Sequence, residues 1–383
     1  MRIINSILPT IEKDDLFFFL SNLFSNKDSW KTKVLKELKI YFPSSTVLFF
    51  SSGRAALEFV AANLMNEKDS LYLQAFTCSA VVYPFLKHHI KPIYIDIEKE
   101  NYNMSFDNLK KKQNANSKAV LLQYTFGLLP SKLNEILAYA RENNLLIIED
   151  LSHAFGNKHE AQFLGNYSDV AILSFGRDKT ISSVSGGALI IRNKNLENIL
   201  NTAYANLYEP ALFEKFKLVF YLFFMYFAKY NFHLKLTRVL IFLLQRIRLL
   251  DKALSEKEKA ADASLKILYK FPSLFYPLLY NQLLKLPKLI QTRKTNTEYY
   301  NDLYNKRLSG SLLKFPLLVE DQTILLKKTK EKKIYLDTWY GNVIDPTGVN
   351  LQNYHYQKGQ CPVAEEIAKK IINLPTLWKL EKL

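Results

Sequence analysis

Residues 170–191 read VAILSFGRDKTISSVSGGALII, with two apolar runs on either side of a polar turn. The runs Val170–Phe175 and Gly187–Ile191 are short and free of charge, which is typical of strands that are buried on both faces of a sheet. Glycine, serine and charged residues make up the turn, and Lys179 lies five residues after Ser174. This stretch therefore predicts two buried strands, with a lysine just beyond the end of the first.

Similar apolar runs recur between about residues 45 and 195, and they alternate with amphipathic stretches such as Ala55–Leu64 and Leu133–Glu142. The further runs that we expect to form buried strands are Val47–Phe50, Ser70–Leu73, Pro92–Ile97, Ala119–Tyr124 and Leu145–Glu149. Strands that alternate with helices predict an α/β domain whose mainly parallel central sheet is flanked by helices. Ligands of such sheets bind at the carboxyl ends of the strands.

Composition limits the class of protein. A chain of 383 residues that is 48% hydrophobic can bury a large core and fill about two domains. The formal net charge of +16 favours anionic partners such as phosphorylated small molecules or an anionic membrane surface. Because the basic residues are dispersed and no nucleic-acid-reading motif is visible, we expect no nucleic-acid partner. The histidines show no metal-ligand spacing, so we also expect no metal site.

The cysteines and the N-terminus bear on the compartment. Cys78 and Cys361 are the only cysteines, which implies no disulfide framework and favours a reducing compartment. The apolar cluster Leu16–Leu20 directly follows a lysine and two aspartates, a charge order unlike that of a secretory signal. We therefore expect a cytoplasmic protein.

The character of the sequence changes after about residue 195. We expect a large α/β domain over residues 1–255, with an apolar, basic helical insert at about 203–252, and a smaller α+β domain over residues 256–383. The insert holds the runs Leu218–Ala228 and Val239–Leu244, each shorter than the roughly 20 residues that span a bilayer. Two interpretations stay open: helices buried in the core or in a dimer interface, or peripheral membrane contact through residues 213–248.

Three short motifs follow predicted strands. The segment SSGRA at residues 51–55 opens a helix whose free amides suit a phosphate, although such a start is commonly a simple turn. Asp150 ends a very apolar strand, where its carboxylate needs a cation such as a protonated pyridine nitrogen, unless it caps the next helix. Lys179 could bind a carbonyl covalently if burial and a cation such as Arg177 lower its pKa, although most single lysines are solvated surface charges.

The order and spacing of these motifs resemble the fold-type I pyridoxal-phosphate (PLP) enzymes, and among them the DegT/DnrJ/EryC1/StrS family of sugar aminotransferases. The resemblance runs from about Phe49 to Ile191 and more weakly through Tyr276–Leu303 and Gly359–Thr376. It implies that Lys179 binds the cofactor covalently and then serves as acid and base, while Asp150 pairs with the pyridine nitrogen. The other residues that it places at the cofactor are His153 near the ring hydroxyl, Ser174, Gly53 and Arg54 at the phosphate, and Phe76 against the ring.

The sequence departs from the family pattern in three places. Arg54 stands where the family usually has threonine, and residues 176–178, Gly-Arg-Asp, replace His-Pro-Thr before the lysine. No Gly-x-Asn-Tyr-Arg-Met segment precedes Tyr276. In relatives that segment reaches across a dimer to the cofactor phosphate and to the substrate, so the identity of the substrate is left open.

The resemblance implies a homodimeric aminotransferase with PLP as cofactor. It would pass an amino group from an amino acid such as glutamate to a keto sugar, most simply a nucleotide-linked one, in cell-surface polysaccharide or secondary-metabolite biosynthesis. Retention of Lys179 argues against the branch of the family in which histidine replaces the lysine and deoxygenation results. Two alternatives stay open: a membrane-associated PLP enzyme that aminates a lipid-linked substrate, and a non-catalytic regulatory protein with the same fold.

Overall fold

The computed structural model describes residues 10–232, 234–252 and 254–382; the first nine residues, His233, Ala253 and Leu383 lie outside the described residues. Within these ranges the helices are α1 (Lys13–Ser21), α2 (Lys27–Tyr41), α3 (Gly53–Leu64), α4 (Ser79–Leu86), α5 (Phe106–Lys111), α6 (Leu133–Glu142), α7 (Lys194–Ala205), α8 (Leu212–Asn231), α9 (Lys235–Arg246), α10 (Glu256–Lys259), α11 (Tyr276–Tyr304), α12 (Gln322–Glu331) and α13 (Pro362–Ala368). The strands are β1 (Thr46–Phe50), β2 (Ser70–Gln74), β3 (Thr77–Cys78), β4 (Lys91–Ile95), β5 (Ser117–Gln123), β6 (Leu146–Asp150), β7 (Lys158–His159), β8 (Gln162–Phe163), β9 (Val170–Ser174), β10 (Gly187–Ile191), β11 (Lys314–Leu318), β12 (Ile344–Asp345) and β13 (Ile371–Pro375).

In the described part of the chain, seven strands form one central sheet in the order β1-β10-β9-β6-β5-β2-β4. Each of the seven apolar runs predicted above forms one of these strands. From β9 to β4 the neighbours pair in parallel, whereas β10 is antiparallel to both β1 and β9. The prediction of a mainly parallel sheet is therefore confirmed. The one reversed strand, β10, pairs with β9, the strand that precedes the lysine turn.

Both faces of the sheet are buried, because alternate residues of each strand point into different apolar layers. In β1, Leu48 and Phe50 pack in one layer and Phe49 packs in the other. In β6, Ile148 and Ile147 divide in the same way. Helices cover both layers, which explains why these strands are apolar along most of their length. Strands β1, β2, β6 and β9 run in the same direction, so their carboxyl ends reach one common edge of the sheet.

The C-terminal part of the chain returns to this edge. The long helix α11 packs against α1, where the buried Asp15 accepts a hydrogen bond from Gln282. Strands β11 and β13 form a separate antiparallel pair, while β12 pairs in parallel with β3 and places Ile344 opposite Thr77. This pairing brings residues 337–345 next to Phe76. The domain division between residues 255 and 256 stays a prediction.

The apolar insert forms α8 and α9. Helix α8 buries one face, which includes Tyr221, Leu222 and Ala228, whereas Thr237 is the buried position of α9. The expectation of helices buried in the core thus describes one face of α8, while α9 lies on the surface of the chain. Among the described residues no helix has both the length and the apolar character that crossing a bilayer requires.

Candidate active site

The turn between β9 and β10 holds Lys179 at the common edge of the sheet. The backbone closes on itself there: the Phe175 amide donates to Gly186 O at 2.8 Å and the Ser183 amide donates to Phe175 O at 3.0 Å. Gly186 has a φ of +129°, and a Cβ atom on it would lie 2.4 Å from the Phe271 ring. Only glycine meets both conditions, so the small residues of this turn are a requirement of its tight geometry.

The amine of Lys179 lies in a crowded and largely buried setting. Its Nζ is 3.4 Å from Nε2 of His153 and 3.9 Å from Oδ1 of Asp178. The same Nζ lies 4.4 Å from the centroid of the Trp339 ring, within the range of a cation–π contact. The alternative of a solvated surface charge does not fit, because only 16% of the side chain is exposed.

Asp150 ends the neighbouring strand β6 and is buried. Burial raises the pKa of its carboxyl, while the hydrogen bonds from Ser152 and the positive charge of Lys179 act in the opposite direction. Its Oδ1 accepts the Ser152 amide at 2.9 Å, and a turn rather than a helix follows, so Asp150 caps no helix. Within the described ranges Asp150 forms no ion pair. A cationic ring nitrogen is the kind of partner that such a carboxylate lacks.

His153 is buried between these two groups and the C-terminal segment. Burial holds the pKa of its imidazole well below the usual range, and the charges of Lys179 and Lys314 lower it further. Its Nδ1 accepts the Phe126 amide at 3.2 Å, so the neutral ring carries its proton on Nε2. That nitrogen lies 3.4 Å from both Lys179 Nζ and the Tyr340 hydroxyl.

Ser174 and the start of α3 form a small polar cradle. Ser52 Oγ accepts the Ala55 amide at 3.1 Å, and the amides of the first helical turn lack acceptors within the helix. A Cβ atom on Gly53 would lie 3.1 Å from Cβ and 3.4 Å from Oγ of Ser174. The absent side chain therefore leaves a space where a hydroxyl and a helix N-terminus meet, which suits a phosphate. The guanidinium of Arg54 instead forms an ion pair with Glu258.

Phe76 and the C-terminal segment close the site from the other side. The Phe76 ring packs edge-on against Tyr340, with centroids 5.4 Å apart. The Trp339 ring lies 4.7 Å from the His153 ring and also contacts Lys314, whose Nζ is 4.4 Å from its centroid. Trp339 and Tyr340 lie some 160 positions beyond Lys179, outside the stretches that resemble the family, and we did not predict them. An adjacent Trp-Tyr pair before the Asp-Pro-Thr-Gly turn was the one signal available.

Arg177 does not take the predicted place beside Lys179. Its guanidinium lies over the Tyr221 ring of α8, 3.9 Å from the centroid, and donates to Asp251 O at 2.7 Å. The cationic neighbours of the pocket are Lys314 and Arg293, which line one cavity together with Lys179. Arg293 is fully buried, and burial lowers its pKa to about 10.

Asp345 is a second carboxylate near this edge, and it is partly buried. Its pKa is raised to about 7, chiefly by burial of the carboxyl, with a smaller contribution from the negative charges of Asp337 and Asp178. The Gly341 amide, which donates to its Oδ1 at 2.9 Å, and the charge of Lys314 act in the opposite direction.

We expect the contribution of Asp345 to the free energy of unfolding to decrease as the pH rises from about 4 to about 7. In this window the folded state keeps a proton on Asp345 that the unfolded chain releases, so the stabilisation that is full below pH ~4 is lost by pH ~7. Asp345→Asn keeps an acceptor for Gly341 and should remove this part of the slope, which makes the variant more stable at pH 8 by roughly 1–3 kcal/mol. Urea unfolding at pH 5 and pH 8 checks this, and parallel pH dependence of the two proteins would contradict it.

Nearly the whole chain matches one protein family. A model of the DegT/DnrJ/EryC1/StrS aminotransferase family matches residues 28–382. GDP-perosamine synthase of Escherichia coli O157:H7 is 29% identical over 147 residues, which are 38% of this chain and 40% of that protein. The matched stretches span half or less of the length of the first curated relatives, 40%, 50% and 45% of three of them.

Solved structures share the fold. Helicobacter pylori PseC, an aminotransferase involved in the biosynthesis of pseudoaminic acid, superposes with a TM-score of 0.71 at 15% identity and covers 98% of this chain and 94% of its own. E. coli GDP-4-keto-6-deoxy-D-mannose-3-dehydratase with bound hydrated PLP gives a TM-score of 0.71 at 18% identity, over 98% of this chain and 95% of its own. At such identities the likeness establishes the fold alone.

Proposed function

Because the chain belongs to the DegT/DnrJ/EryC1/StrS aminotransferase family, whose cofactor is PLP, we propose that it is an aminotransferase that aminates a nucleotide-linked keto sugar. The amino donor is an amino acid such as glutamate. One observation carries the proposal: Lys179, the buried Asp150 and the cradle of Gly53 and Ser174 lie at a single edge of the sheet. PLP has an aldehyde, a ring nitrogen that is cationic when protonated, and a phosphate. An amine, a carboxylate and a phosphate-binding cradle at one edge of the sheet match these three groups.

Bound PLP supplies an aldehyde that exchanges amines and a ring that takes up negative charge from the substrate carbon. Lys179 would hold the cofactor at its aldehyde carbon through Nζ, and its free amine would serve as the acid and base for the proton that the substrate carbon loses. Nε2 of His153 lies 3.4 Å from Nζ, and its neutral ring adds no second positive charge beside the amine. The indole of Trp339 covers the amine and excludes water.

Asp150 would hold the ring nitrogen of the cofactor in its protonated form. Its carboxylate is buried and its pKa is raised by that burial, so a positive charge placed against it is favourable for both groups. The Ser152 amide fixes the orientation of Oδ1. A carboxylate so placed would favour a ring that takes up negative charge from the substrate carbon.

The polar cradle of Gly53 and Ser174 predicts which hydroxyl contributes to binding of the PLP phosphate. We expect Ser174→Ala to weaken PLP binding about tenfold or more, since one hydrogen bond to a charged group is lost. The matched control is Ser185→Ala in the same turn, whose hydroxyl donates to Ser51 O at 2.6 Å and should affect folding stability rather than affinity. Fluorescence titration of the apoprotein with PLP measures both, and equal affinities for Ser174→Ala and wild type would count against the cradle.

The positive charge of the cavity supports a nucleotide-linked sugar as the acceptor of the amino group. Lys314 and Arg293 line the cavity that opens beside Lys179, and the chain carries a formal net charge of +16. Such a cavity suits the diphosphate of a nucleotide sugar or the carboxylate of the donor. Nucleotide-linked sugars also appear in the names of the relatives reported above. A homodimer in the cytoplasm stays part of this proposal.

Absorbance tests the reaction. Protein loaded with PLP should show the visible band of lysine-bound cofactor, and glutamate should bleach it. A nucleotide keto sugar from a panel should then restore the band and yield an amino sugar detectable by mass spectrometry. A band that no amino acid changes would favour the non-catalytic alternative.

A second acceptor, a lipid-linked sugar, is favoured by one contact. Tyr221 of α8 packs against Arg177, two residues before Lys179, so the apolar insert adjoins the lysine turn. A panel that includes a lipid-linked keto sugar in detergent distinguishes the two acceptors, because only the true one restores the band.

A further inference from the structure

Helix α9 exposes a continuous apolar surface. Leu236, Leu240, Leu243 and Ile247 recur at helical spacing and form one stripe from the first turn to the C-cap. The exposed large apolar residues of this helix and its C-cap are Leu236, Val239, Leu240, Phe242, Leu243 and Ile247, with exposed fractions between 39% and 77%. A helix with so much apolar surface in water is unfavourable unless something covers it.

The same surface is basic. Residues 212–250 hold seven lysines and arginines and one acidic residue, Glu214. The basic residues at or beside α9 are Lys235, Arg238, Arg246 and Arg248. Among the described residues none of these four forms an ion pair, so their charges face no acidic partner within the chain. They lie towards both ends of the apolar stripe as well as within it.

We propose that α8 and α9 bind the protein to the surface of an anionic lipid bilayer. An apolar stripe with cations at its ends is the pattern of a helix lying in the membrane interface, with the stripe among the acyl chains and the cations at the headgroups. The outer positions of α8 add Phe213, Phe216 and Phe227, each more than half exposed.

A second copy of the chain fits this surface less well. Two copies that met through α9 would bring two sets of unpaired lysines and arginines together with no acidic residue on the helix to oppose them. Anionic headgroups supply the missing negative charge. A lipid surface can also surround a protruding helix, whereas a protein partner would need a groove that fits it.

The contact would bring the lysine turn close to the bilayer. The inner face of α8 holds Tyr221, whose ring lies 3.9 Å from the Arg177 guanidinium. The outer face therefore lies about one helix diameter, ~10 Å, from the turn that carries Lys179. This inference does not depend on the proposed reaction, since it concerns a surface outside the cofactor residues.

Flotation of the full-length protein with vesicles tests the surface. We expect it to float with vesicles of phosphatidylcholine and phosphatidylglycerol, to float weakly with phosphatidylcholine alone, and to be released by salt. Leu236→Glu with Leu243→Glu should lower the partition coefficient about a hundredfold. Arg238→Gln with Arg246→Gln should lower it roughly fivefold for each charge.

The matched control places two glutamates elsewhere. Leu284→Glu with Ile324→Glu changes apolar residues that are 50% and 54% exposed on other helices, and it should float like wild type. Circular dichroism confirms that each variant folds. Absence of flotation with anionic vesicles would overturn the proposal. So would a loss of oligomer mass in the α9 variant without lipid, since α9 would then be an interface between copies.

Discussion

Lys179→Arg should abolish covalent binding of PLP and reduce transamination at least about a thousandfold. Arginine keeps the positive charge beside His153 and Asp178 but offers no amine that condenses with an aldehyde. We expect the visible band of lysine-bound cofactor to be lost, although PLP still binds through its phosphate. We also expect the half reaction with glutamate to be lost. Absorbance and single-turnover kinetics measure both.

The chain offers a matched control in Lys314→Arg. The Nζ atoms of both lysines lie 4.4 Å from the centroid of the Trp339 ring, and both residues line the same cavity. Arginine at position 314 preserves the charge opposite Asp337. We expect this variant to keep the visible band. Loss of the band in Lys314→Arg with its retention in Lys179→Arg would assign the cofactor to the other amine.

Asp150→Asn should leave cofactor binding to Lys179 intact and slow the half reaction with glutamate on the order of a thousandfold. The amide fills the same space but cannot hold a proton on the ring nitrogen, so the ring no longer takes up charge from the substrate carbon. The visible band should persist, and stopped-flow absorbance should show that its bleaching is slow.

Asp345→Asn is the control for this second change. Asp345 is partly buried, and its pKa is also raised, to about 7, but it ends β12, which lies outside the central sheet. We expect less than about a tenfold change in the rate of bleaching. Similar slowing in the two variants would mean that loss of any buried charge in this region, rather than pairing with the ring, explains the effect.

The strands of the sheet could be predicted from the sequence because they are buried on both faces. Such strands are apolar along their length, so they can be recognised without knowing which strand pairs with which. The seven runs stand out as apolar segments between amphipathic stretches, and each forms a strand of the one sheet. The direction of β10 could not be read in the same way, since a buried antiparallel strand has the same composition as a buried parallel one. The residues at the strand ends followed from the topology.

The rest of the site depends on contacts between distant parts of the chain. Trp339 and Tyr340 reach Lys179 and His153 because β12 pairs with β3, and two residues of pairing leave almost no trace in sequence. Arg177 was expected near Lys179 because of its position, yet its side chain packs on Tyr221, a residue of the insert. Side-chain direction in a tight turn is decided by such tertiary neighbours, not by local spacing.

The exposure of α9 could be predicted only in part from the sequence. Its apolar runs and basic flanks were visible in the sequence, but composition alone did not separate a core helix from a surface one. The structure separates them, because α8 buries Tyr221 and Leu222 while the large apolar residues of α9 remain exposed.

Borohydride reduction of the PLP-loaded protein, followed by peptide mass spectrometry, identifies the lysine that binds the cofactor. Reduction fixes the cofactor permanently to whichever amine holds it, among all the lysines of this basic chain. We expect a single pyridoxyl-modified peptide that contains residue 179. Modification at another lysine, or none at all under saturating cofactor, would contradict it.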